Sequence, residues 1–122
     1  MDAQRVIAES RPMLEEFLCH IGLHRAGEPL DFPELLGAFS QWVDAQAVAE
    51  DDRYYLASRL GAFICEYLID VRMAHRDIVN GRIVVRVPIG EGILREFDPY
   101  AVAVGMVTSR RSLRQFLESL CS

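Results

Sequence analysis

The sequence predicts an α+β fold: three N-terminal helices, a three-stranded antiparallel β-meander and two short C-terminal helices, in a single domain over residues 1–122. Three observations predict it. Apolar residues recur at three- and four-residue spacing through Val71, which is the signature of helices with one buried face. After His75 the period falls to two around an Asn80-Gly81 pair, which marks a hairpin. Asp98-Pro99 then restarts a helix, with an acid at the cap and proline at the first position.

The first helix carries Val6, Ser10, Met13, Leu14, Phe17, Leu18 and Ile21 on one face. Pro12 allows two forms of it: a kinked helix from about residue 3 to 24, or a fresh start capped by Ser10 with Pro12 in the first turn. Gly27 and Pro29 are expected to stop it. Asp31, with Pro33 and Glu34 behind it, has capping-box character and opens a second helix to about residue 48. Its apolar face is Leu35, Leu36, Phe39, Val43 and Ala47. Asp51 or Asp52 caps the third helix, whose run from Leu56 to Val71 is the longest clean helical pattern and is expected to be the central core element. The strands are expected at 77–79, at 82–87, ended by Pro88, and at 93–97 after a Gly90-Glu91-Gly92 turn. A short helix then carries Val102, Val104 and Val107, and Thr108 or Ser109 caps the last helix, with Leu113, Phe116, Leu117 and Leu120 inward.

Composition excludes several chemistries. The thirteen basic residues are all Arg, with no Lys. A Walker-type phosphate loop and Schiff-base catalysis both need a Lys amine, so neither is available. Arginine is always protonated and suits carboxylate pairing better than proton transfer; all-Arg usage is also what a GC-rich coding bias produces. At 122 residues the chain suits one core, burying roughly two thirds of its unfolded surface without metal or disulfide. No apolar run approaches the roughly 18 residues of a membrane span, and the acidic N-terminus lacks a secretion-signal pattern, so a cytoplasmic location is expected. Cys19, Cys65 and Cys121 are odd in number, lie in apolar segments and form no C-x-x-C pair, which predicts buried free thiols.

Charge is distributed unevenly. Residues 1–52 hold eleven acids against three Arg, whereas residues 53–122 hold seven acids against ten Arg. From Ala26 to Asp52 there is no basic residue, and Glu28, Asp31, Glu34, Asp44, Glu50, Asp51 and Asp52 all fall there. Other constellations are weaker. Glu16, His20 and His24 would share a helical stripe, but Ile21 stands where an H-E-x-x-H zinc frame needs Glu. His75 and Asp77 are two apart at a corner, where local backbone bonding competes with acid–base work. Arg82, Arg86 and Arg95 are expected on one sheet face, without the interleaved aromatics of a nucleic-acid surface.

The segment Leu60-Gly61-Ala62-Phe63 with Glu66, the meander, and Phe97-Asp98-Pro99-Tyr100-Ala101-Val102 resembles small bacterial α+β domains of uncharacterised function. These carry an L-G-x-x-x-x-E helix, a short meander and a D-P-aromatic helix start, and some are similar to immunity proteins and accessory proteins encoded near secreted toxins. The resemblance covers about the last 65 residues. It implies the fold and offers no catalytic residues. The function expected is therefore a non-catalytic protein-binding module, most plausibly an immunity-type inhibitor. It would bind a basic toxin or effector through Glu28, Asp31, Glu34, Asp44, Asp51 and Asp52, with Trp42 as an anchor. No cofactor, metal, nucleic acid or membrane partner is expected, and a homodimer is left open. The alternatives are a type III-like secretion chaperone or adaptor, against which three helices before the first strand argue, and a small ligand-binding domain or enzyme using Glu66, His75 and the Arg stripe.

Overall fold

A computed structural model describes residues 2–46, 50–109 and 111–120. It is α+β, with five α-helices and a three-stranded antiparallel sheet of order β1-β2-β3. Cys121 and Ala47 lie outside the described residues.

Helix α1 (Ala3–His20) is continuous through Pro12, so the Ser10 restart is not taken. Asp2 caps it instead, its carboxylate accepting from the amides of Gln4 at 3.1 Å and Arg5 at 3.4 Å. Pro12 is tolerated because it and Ala8, whose carbonyl loses a partner, are both exposed to water. The helix ends before the expected Gly27. Gly22 takes φ +83°, and the Leu23 amide returns to the Leu18 carbonyl at 2.9 Å, a glycine stop that satisfies the last turn. Helix α2 (Phe32–Asp44) starts as expected, with Asp31 accepting from the Glu34 amide, but ends earlier, at Asp44.

A 3-10 turn (Glu50–Asp52) leads into α3 (Arg53–Arg72). Every residue from Leu60 to Leu68 is buried, so this helix is enclosed on all sides and is the central element. Phe63 meets Phe39 of α2 at 4.6 Å between ring centroids and Phe32 at 5.5 Å. Met73, in the left-handed region at φ 57°, turns the chain into the sheet.

Strand β1 (His75–Val79) and β2 (Arg82–Gly90) are joined by Asn80 and Gly81, both at positive φ as a tight hairpin turn requires. Strand β2 continues past Pro88 to pair with β3 (Ile93–Phe97), through an irregularity between Pro88 and Gly90. Proline is accommodated because β1 stops pairing at Arg86, leaving β2 with one neighbour there. Ile83, Val85 and Val87 point inward. The register sets Glu96 against Arg86 but Arg95 against Val87, so Arg95 does not share a face with Arg82 and Arg86.

Asp98 caps α4 (Pro99–Ser109), accepting from the amides of Tyr100 at 2.9 Å and Ala101 at 3.1 Å. Pro99, Ala103 and Met106 are its buried residues; Val102 and Val107 pack half-buried against the core as expected, and only Val104 of the expected face is exposed. Ser112, not Thr108 or Ser109, caps α5 (Leu113–Ser119), because those two hydroxyls bond back to carbonyls within α4. Among the described residues no helix is long and apolar enough to cross a membrane.

Candidate functional site

The acids of the 28–52 segment fall into two groups at opposite ends of α2. Glu28 precedes the helix, Asp31 caps it and Glu34 lies in its first turn; with His24 and Arg25 they border one depression. Asp44 closes the helix, about 15 Å further along at the α-helical rise, and borders a different cleft with Arg53 and Arg111. Asp51 and Asp52 stand exposed in the 3-10 turn, and Asp52 makes no side-chain capping bond to α3. Trp42 is half-buried, stacked on Phe39 and edge-on to Phe17 at 5.6 Å. The exposed aromatics beside the acids are Tyr54 and Tyr55.

No acid from Glu28 to Asp52 takes part in an ion pair among the described residues, and all are exposed. The second half behaves differently. Glu66, Asp70, Asp77, Glu96 and Glu118 each pair with Arg, and Asp98 is used as a cap. Helix dipoles explain Asp31 and Glu34, which sit at the positive N-terminal end of α2. They do not explain Asp44, at the negative end of the same helix and with no basic residue in its last turn.

A second constellation is buried. The Glu66 side chain, 3% exposed, accepts from Arg76 Nη1 of β1 at 2.7 Å and lies 3.8 Å from Arg11 of α1. Arg11 also forms a forked pair with Asp70, one turn further along α3, at 2.8 and 3.3 Å. Its guanidinium stands 5.5 Å from the Phe32 ring centroid. Cys65 and Tyr100 adjoin this network, and Ser10 Oγ approaches the Tyr100 phenol without reaching hydrogen-bonding geometry. With both carboxylates of α3 held by arginines, the arrangement ties α1, α3 and β1 together and leaves no unpaired acid to serve as a base.

Burial pushes the Cys65 thiol up to about 11 and the Tyr100 phenol up to about 12, from ordinary values of 9.0 and 10.0. Both groups are neutral when protonated, so the unfolded chain ionises first. Their stabilisation is complete below pH 9 and is lost as pH rises from 9 towards 12. The melting temperature is accordingly expected to hold between pH 7 and 9 and to fall above it. Cys65→Ala should remove the lower part of that fall, a share on the order of 2 to 3 kcal/mol. A melting curve that is flat to pH 11 would refute this.

The remaining sequence candidates do not converge. Helix α1 ends at His20, so His24 leaves the stripe of Glu16 and His20; its buried ring lies 3.4 Å from Glu15. Asp77 accepts from Arg86 and from the Ile78 amide and so is not a partner for His75. Arg86 is held between Asp77 and Glu96, which neutralises the centre of the supposed Arg stripe. Among the described residues no cluster of His, Cys, Asp or Glu could hold a metal ion. The chain matches no protein-family model, and no curated protein or solved structure gives a significant match to it.

Proposed function

We propose that this chain is a non-catalytic protein-binding module, an immunity-type inhibitor that holds a basic toxin or effector domain through its acidic surface. Glu28, Asp31 and Glu34 form one end of that surface and Asp44, Asp51 and Asp52 the other. Trp42, half-buried on α2 between the two ends, is the anchor. The observation that carries the reading is the contrast in pairing: the fold pairs five of its seven acids after residue 52 with arginine and leaves every acid from Glu28 to Asp52 exposed without an ion pair among the described residues. Asp44 sharpens it, since its place at the negative end of α2 costs about 0.3–1 kcal/mol and no bond from a described residue offsets that cost. A surface of net negative charge accelerates encounter with a basic partner and disfavours acidic ones.

The test is capture of partners from the native host at low and moderate salt, using the wild-type chain and the Glu34→Arg/Asp44→Arg variant. One near-stoichiometric basic protein, released as salt rises and captured at least about tenfold less by the variant, is the expected result. Equal capture by the variant, with its circular dichroism unchanged, would remove the acidic surface as the binding site.

A further inference from the structure

A cavity of about 510 Å³ opens between the first half of α1, the first half of α3, the β1–β2 hairpin and α4. That volume is in the range of small-molecule sites, roughly 300–1,000 Å³. Its wall is largely apolar: Val6 and Met13 from α1, Ala57 from α3, Ile83 from β2 and Val104 from α4, with the Tyr100 ring beside them.

The charged residues at its border are unequally engaged. Glu9 is held by Arg5 at 3.1 Å, and Asp98 is committed to the amides that begin α4. Arg59 and Arg82 have no carboxylate partner among the described residues. Arg59 is moreover preset: its Nη1 donates to Ser58 Oγ at 2.9 Å and its guanidinium lies 4.1 Å from the Tyr55 ring centroid. Its Nε–H is shut away from water with no acceptor among the described residues, so donation into the cavity falls to its Nη groups.

We propose that this cavity binds a small amphipathic carboxylate, its apolar body lying on Val6, Met13, Ala57 and Val104 and its carboxylate accepting from Arg59 and Arg82. A planar carboxylate matches the guanidinium fork of Arg59 and meets the unpaired charge of Arg82. The charge balance favours an anionic ligand, because the two acids at the border are already engaged and the two arginines have no carboxylate partner among the described residues. This site is separate from the acidic surface, so either assignment can fail without the other.

Decanoate is a suitable probe, titrated below its micellar concentration into the ¹⁵N-labelled full chain, with decanol as the neutral control. Saturable single-site shifts at the amides around Ala57, Tyr100 and Val104 are expected, with decanol binding at least about tenfold more weakly. Arg59→Gln/Arg82→Gln should weaken decanoate by a similar factor, and Val104→Trp, which fills the cavity from an exposed position, should abolish binding. Glu34→Arg/Asp44→Arg should leave it unchanged. Absence of saturable shifts, equal affinity for decanol, or undiminished binding by either cavity variant would overturn the proposal.

Discussion

Replacing Glu66 with alanine is expected to destabilise the protein by about 3–5 kcal/mol, the cost of leaving a buried charge without its partner. Glu66 is 2% exposed and Arg76, which donates to it at 2.7 Å, has a side chain 24% exposed, so water does little to relieve the guanidinium once the carboxylate is gone. Arg11, 45% exposed and still held by Asp70, loses much less. A loss of this size is a large share of the about 5–15 kcal/mol that holds a domain folded. The pair itself is another matter: Glu66→Leu/Arg76→Leu removes both charges and is expected to recover most of the loss. Urea unfolding of the wild type, Glu66→Leu, Arg76→Leu and Glu66→Leu/Arg76→Leu gives the coupling directly. A Glu66→Ala variant within about 0.5 kcal/mol of wild type would mean that the carboxylate is better hydrated than its burial implies.

The residues of the L-G-x-x-x-x-E and D-P-aromatic segments owe their places to this packing. Glu66 receives Arg76, Gly61 lies under Tyr100, and Asp98 with Pro99 sets the start of α4 that brings Tyr100 there. Sequence alone makes such residues visible, since glycine and a carboxylate inside an apolar helical run stand out. It does not reveal their partners, because Arg76 and Tyr100 come from elements that pack on α3 only after the chain has turned.

Elements were legible where the signal was local. Asn80-Gly81, the caps Asp31 and Asp98, and the apolar run of α3 each rest on neighbouring residues and are found where expected. The sequence misled where two local signals competed or where register decided. Gly22 won over Gly27 because it was the first glycine able to accept the left-handed turn. Ser10 has cap chemistry but lies buried inside α1, where Asp2 had already begun the helix. The placing of Arg95 depended on the irregularity near Pro88, which shifts every side chain beyond it relative to β2. For the candidate site, the excess of acids between residues 28 and 52 was plain in the sequence; their division between the two ends of α2, and the lack of internal partners, are properties of the tertiary structure.

Gly61→Ala should run against the usual rule for helices. In a helix interior, Ala is favoured over Gly by about 0.5–1 kcal/mol. At Gly61 an added methyl would stand 2.5 Å from Tyr100 Cδ1 and 3.0 Å from Cγ and Cε1, closer than real side chains approach. The clash involves the ring's near atoms as well as its edge, and the ring follows buried Pro99 and the Asp98 cap at the start of α4, so relief requires the whole ring to leave its contact with α3. Displacement therefore strains the α3–α4 contact, and a net loss of about 1–3 kcal/mol is expected. Gly105→Ala is the matched control, since nothing lies within 4 Å of its methyl position and it should stabilise α4 by up to about 1 kcal/mol. The decisive measurement is Gly61→Ala in a Tyr100→Ala background, by urea unfolding. With the ring removed, the same substitution should change sign and become stabilising. Gly61→Ala stabilising the wild-type chain would mean that Tyr100 does not pack against α3 as described.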